Sequence, residues 1–160
     1  MTNVVPILTA QVETLKNGGL DEIKPLLNGH WEELALNKDK VPLDPQYDLY
    51  LKREELGEVL YVTLRSQGKL VGYFVGFIAP GLHYKTCLTL TMDIIYVHPD
   101  YRGTGGGLVL GKAIEREAKR RGVQRWFMGF KTEHKKHMEK LLQTLGMEQV
   151  EVFYSKWIGD

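Results

Sequence analysis

Residues 97–108 read Val97-His98-Pro99-Asp100-Tyr101-Arg102-Gly103-Thr104-Gly105-Gly106-Gly107-Leu108. A run rich in β-branched and aromatic residues precedes them, and a run with helical spacing follows. Glycine lets a backbone come close to a ligand and adopt positive φ. The helix behind such a loop offers unpaired N–H groups and the positive end of its dipole. A strand, a four-glycine loop and a helix in this order therefore imply a bound phosphorylated ligand, most simply a diphosphate.

Outward from the loop, the periodicity alternates between helix and strand. Upstream, residues 4–9 suit a short strand with Pro6 at an edge. Leu20, Ile23, Leu26, Leu27, Trp31, Leu34 and Ala35 predict a helix over 20–36. Asp44-Pro45 suits an N-cap and first helical position for a second helix, which Gly57 would stop. Residues 58–65, 70–79 and 86–98 predict three consecutive strands, separated by Ser66-Gln67-Gly68-Lys69 and Pro80-Gly81. Downstream, the spacing predicts a helix over 108–121 ended by Gly122. A strand follows at 123–131, then a helix at 133–145 ended by Gly146, then a closing strand at 149–158. The order β-α-α-β-β-β-α-β-α-β predicts an α/β fold in one domain over 1–160. Consecutive central strands imply hairpins and the later β-α-β unit a crossover, so the sheet is mixed and mostly antiparallel.

Composition narrows the function classes. The net charge of +1 argues against nucleic acid or an anionic membrane as the main partner. The single cysteine, Cys87, forms no intramolecular disulfide and no cysteine metal site, which fits a reducing cytoplasm. The first ten residues lack the charged start and apolar stretch of a signal peptide. The longest apolar run, 70–79, falls well short of the roughly 20 residues of a membrane-spanning helix. His134 and His137 share a helix with Glu133 but lack the H-E-x-x-H order and a third ligand, so no metal is expected.

Three glycine-loop templates compete for residues 102–108. The dinucleotide pattern G-x-G-x-x-G fails, because its last position falls on Leu108 or Leu110. The nucleoside-triphosphate loop G-x-x-x-x-G-K-[ST] ends on Ala113 where the metal-binding hydroxyl is needed. The pattern [QR]-x-x-G-x-[GA] is filled by Arg102 to Gly107. With the strand ending Tyr96-Val97-His98-Pro99, the element order, and Leu145-Gly146-Met147 before a last strand, the chain resembles the GNAT superfamily of N-acetyltransferases. The likeness is strongest over 57–158, and nearest in character to phage- or prophage-type members, whose setting would be the host cytoplasm.

That resemblance implies acetyl-CoA as co-substrate. It puts Arg102, Gly103, Thr104, Gly105, Gly106, Gly107 and Leu108 at the pyrophosphate. Val97 would hold the pantetheine arm through its backbone, with the neighbouring amides, Tyr96 included, polarising the thioester carbonyl. Lys131 could reach a CoA phosphate. Transfer to an amine needs a base for the ammonium proton. Asp93, the one carboxylate in strand 86–98, is the candidate, and simple alternation puts it in phase with Thr91, Ile95 and Val97. The family's usual tyrosine acid, four residues before the glycine of its L-G-F element, is here Leu142. Tyr84 is the first substitute considered, with Tyr96, His134 and Tyr154 behind it.

By the same resemblance, the acceptor is lined by residues 30–50 and 81–85. Glu32, Glu33, Asp39, Asp44 and Asp48 in the first stretch would suit a cationic amine, whether a small molecule, a lysine side chain or an N-terminus. The alternative to an enzyme is a CoA-binding or protein-interaction module that keeps the fold without turnover, and Leu142 is the residue that favours it. Association as a homodimer is compatible with either.

Overall fold

The computed structural model describes residues 6–159. Val4 and Val5 of the expected first strand lie outside these residues. Strand β1 (Leu8–Glu13) leads into helix α1 (Leu20–Leu34), helix α2 (Tyr47–Glu55) and three long strands, β2 (Val59–Ser66), β3 (Lys69–Gly81) and β4 (Tyr84–Val97). Helix α3 (Gly106–Arg120), strand β5 (Arg125–Phe127) and helix α4 (Lys135–Thr144) complete the order. The five strands form one sheet in chain order. The first three pairings are antiparallel and β4 pairs with β5 in parallel, so the sheet is mixed as the periodicity predicts.

Alternation along the strands divides the core between the two sheet faces. Leu60, Val62 and Leu64 of β2 and Phe74 and Ile78 of β3 pack under Leu110, Ala113, Ile114 and Ala118 of α3. Tyr61 of β2 and Tyr73 and Val75 of β3 point the other way, towards Leu15 and Ile23 at the α1 end. Polar ties fix the α1 and α2 layer. The Glu54 carboxylate of α2 accepts from the Leu15 and Lys16 amides at 2.6 and 3.0 Å. Arg65 of β2 joins Glu13 of β1 and Glu22 of α1, each at 2.8 Å.

Several expected boundaries move. The second helix starts at Tyr47, with Gln46 rather than Asp44 as its N-cap, so Asp44-Pro45 stays in the connecting loop. The strand expected over 123–131 pairs only through Arg125–Phe127. The closing strand expected over 149–158 makes no ladder, and its apolar side chains, Phe153 and Tyr154 among them, stand exposed. Its β-forming composition finds no neighbour, and a strand is stabilised by cross-strand pairing rather than by propensity alone. Among the described residues no helix is long and apolar enough to cross a membrane.

Candidate active site

Two departures from regular pairing create the site, both on β4. The ladder between β4 and β5 runs from Thr89↔Arg125 to Thr91↔Phe127 and stops, while β4 continues to Val97. The two strands part there and leave one edge of residues 92–97 free. At the same point β4 carries a bulge. Val75 of β3 faces Ile94, the next residue Gly76 faces Met92, and Asp93 is the extra residue between them. Gly76 has no room for a side chain beside this kink, since a Cβ there would lie 2.7 Å from the Phe74 ring.

The bulge corrects the phase expected for Asp93. Leu90, Met92, Ile95 and Val97 pack on the α3 side, whereas Ile94 and Tyr96 pack on the α1 side. Asp93 falls on the α1–α2 side beside Phe77 and Tyr50, opposite to Ile95 and Val97. An inserted residue reverses the alternation beyond it. The Asp93 side chain is also exposed rather than enclosed by apolar neighbours. Its carboxylate Oδ2 accepts a 2.5 Å hydrogen bond from the Tyr50 hydroxyl of α2. Burial, then this bond to a carboxylate, pushes the Tyr50 hydroxyl well above the usual phenol range, so it remains a donor. Forty-three positions separate the two residues, and the sequence carries no local signal for the pair.

The glycine loop sits where β4 ends. Gly103 and Gly105 have φ of 74° and 86°, with open space where a Cβ would stand, so these two make the turn. The other two serve packing. A Cβ on Gly106 would meet Leu64 at 2.9 Å, and one on Gly107 would meet Leu141 of α4 at 3.2 Å. Helix α3 starts at Gly106, so the Gly106 and Gly107 N–H groups face the loop without intrahelical partners, whereas those of Leu108 and Val109 donate to the Gly105 carbonyl at 3.1 and 3.0 Å. The Thr104 hydroxyl donates to the Tyr101 carbonyl at 2.7 Å and closes the turn on itself. The His98 amide points to the Val71 carbonyl of β3, so alternation turns the Val97 N–H towards the free edge. Leu108 lies half-buried in the first turn of α3, and Lys131 precedes a short 3-10 turn at Thr132–His134.

Arg102 does not present its charge to the loop. Its Nε donates to the Val97 carbonyl at 2.7 Å, and its two terminal nitrogens hold both oxygens of Glu33 in α1 at 2.7 Å each. The bidentate pair holds the Glu33 carboxyl below the usual range and fastens α1 to the end of β4. Glu33, expected among the acidic groups facing an acceptor, is thereby neutralised, and Glu32 pairs with Lys38. Tyr96 is buried, stacked on His30 at 4.9 Å between ring centroids, and burial raises its hydroxyl pKa. Tyr84 lies at the far end of β4, opposite Gly81 of β3, whereas Asp93 sits beside Gly76, five β3 residues or roughly 17 Å away, so the two are not brought together. Leu142 occupies α4, half-buried.

The family's sequence pattern, described as the acetyltransferase (GNAT) family, matches residues 23–147. The chain belongs to the GNAT acetyltransferase family. No curated protein matches it. Among solved structures, it is similar to a ribosomal-protein-alanine N-acetyltransferase from Brucella melitensis biovar Abortus 2308, at 19% identity and a TM-score of 0.72, covering 96% of this chain and 99% of that one. An aminoglycoside acetyltransferase, HMB0005, from an uncultured soil metagenomic sample gives 14%, 0.73, 96% and 99% by the same measures. A predicted acetyltransferase with acetyl-CoA from Clostridium acetobutylicum gives 13%, 0.66, 95% and 97%. At these identities the likeness is one of fold. Within the GNAT chain, the free β4 edge, the open turn at Gly103 and Gly105 and the start of α3 fit an extended arm ending in a pyrophosphate.

Proposed function

We propose that this chain is a single N-acetyltransferase domain that moves an acetyl group from acetyl-CoA to a primary amine by direct attack on the thioester. The observation that carries the reading is the bulge at Asp93. It sets a carboxylate, held by a neutral phenol, at the place where β4 leaves β5 and beside the edge that suits the pantetheine arm.

Acetyl-CoA supplies the activated acyl group. The start of α3 and the Gly103–Gly105 turn hold its pyrophosphate, and the Val97 N–H holds the arm as an added strand would. Asp93 removes the ammonium proton of the acceptor, directly or through a water, and Tyr50 keeps the carboxylate oriented. The neutral nitrogen attacks the carbonyl carbon, the C–N bond forms, the C–S bond breaks and the thiolate takes a proton from solvent. Arg102 acts by position, locking the end of β4 to α1. With Leu142 in α4, no side chain is assigned as the acid.

Acetyl-CoA at millimolar concentration should raise the melting temperature, because a saturating ligand adds several kcal/mol on the order of RT ln([L]/Kd). Thiol release against an amine panel then separates an enzyme from a binding module that Leu142 would favour. Asp93→Asn should lower kcat on the order of 100-fold or more and leave the KM for acetyl-CoA within about threefold. An unchanged kcat across the pH range would overturn the role given to Asp93.

A further inference from the structure

Two cavities adjoin the Tyr50–Asp93 pair on the α1–α2 side of the sheet. The first, about 320 Å³, is lined by Asp93 and Asp44 with Tyr50, Arg53 and Phe77. The second, about 350 Å³, shares Asp44, Pro45 and Tyr50 with the first and runs beneath the α1–α2 connection. Its walls are apolar, with Ile23, Leu27 and Trp31 of α1, Leu43 of the loop, and Val75 and Ile94 of the sheet.

Charge is placed at one end only. In the first cavity the Arg53 guanidinium is already paired with Glu58 at 3.0 Å and lies 3.8 Å above the Phe77 ring. Among the described residues neither Asp93 nor Asp44 has a cationic partner. The second cavity adds no charged side chain beyond the shared Asp44. An ammonium group is matched in the first cavity, while a second charge carried past Asp44 into the second would lose its water against walls whose polar side chains are those of Trp31, Tyr47 and Tyr50, none of them charged.

We infer that the acceptor is a primary amine on an apolar body of about the size of 2-phenylethylamine, its nitrogen between Asp93 and Asp44 and its carbon body in the Trp31 cavity. This rests on the acetyl-transfer reading, which supplies the attack at Asp93. Asp44 lies in the α1–α2 connection rather than at the expected N-cap of α2, so its carboxylate is not taken up by the first amides of that helix.

The test compares 2-phenylethylamine, spermidine and a short peptide with a free N-terminus at saturating acetyl-CoA. Thiol release should give a kcat/KM at least tenfold higher for 2-phenylethylamine, and an equal or higher value for spermidine or the peptide overturns the inference. Calorimetric titration of the same amines reads the cavity without turnover, and 2-phenylethylamine should again bind at least tenfold more tightly than spermidine. Absence of thiol release with all three defeats the transfer reading alone, and the titration still decides for or against the apolar cavity. Val41→Asp and Leu43→Asp lie on the cavity rim, 44% and 36% exposed, where folding tolerates a charge. Each should weaken 2-phenylethylamine binding at least tenfold and leave the melting shift with acetyl-CoA unchanged. Unaltered amine binding in both variants overturns the placement.

Discussion

His30 shows how one buried side chain ties acid stability to the site. It is 7% exposed, shares a 2.8 Å hydrogen bond between its Nδ1 and the Tyr73 hydroxyl, and stacks on Tyr96. Burial pushes its pKa down from 6.5 to about 4, with nearby Glu33 opposing and Arg102 adding to the shift. The folded chain therefore binds fewer protons here than the unfolded chain below pH 6.5. The stability from a neutral His30 is fully present above pH 6.5 and is lost as pH falls towards 4. A shift of this size corresponds to on the order of 3 kcal/mol. His30→Gln keeps a hydrogen-bonding group but cannot titrate, so urea unfolding at pH 7, 5.5 and 4.5 should show a flatter pH dependence than the parent. Parallel slopes would mean that other groups, Glu33 first, carry the acid sensitivity.

At the scale of elements, what is legible in the sequence depends on whether its cause is local. The glycine turn, the helix ends at Gly57, Gly122 and Gly146 and the three central strands are written in adjacent residues, and each stands within a few positions of expectation. The bulge at Asp93 is not, because it depends on which β3 residues face β4, and the Tyr50 contact needs α2 in place over the sheet. The glycines divide in the same way. Gly103 and Gly105 serve the turn, but Gly107 and Gly111 form a groove in α3 for α4, with Leu141 and Leu145 seated in it. A Cβ on Gly111 would meet Leu145 Cδ1 at 2.6 Å. Gly111→Val should therefore cost about 1–3 kcal/mol by overpacking, measured as a lowered denaturant midpoint. Leu145→Ala opens that space, so the double variant should be less destabilised than the sum of the singles by about 0.5 kcal/mol or more. Strict additivity would show that α4 can shift away from α3 without the groove.

For the molecule as a whole, the sheet's stability is concentrated away from the chain's last segment. The two cores lie between α3, the sheet and α1, and residues 149–159 contribute to neither. Val150, Phe153, Tyr154 and Ile158 are 69%, 88%, 94% and 89% exposed, so they remove little apolar surface from water. Trp157 reaches back, its ring 5.3 Å from Lys40 in the α1–α2 connection. A cation–π contact at an exposed site contributes about 0.5–1 kcal/mol. For a domain of this length, about 1 kcal/mol moves the melting temperature by roughly 2–4 °C. Deleting residues 149–160 should therefore lower the melting temperature by no more than about 4 °C and preserve the stabilisation by acetyl-CoA, since the glycine turn, α3 and the free edge of β4 are untouched. A much larger drop would mean that the segment packs against a surface in solution, with the unpaired outer edge of β5 the first place to look.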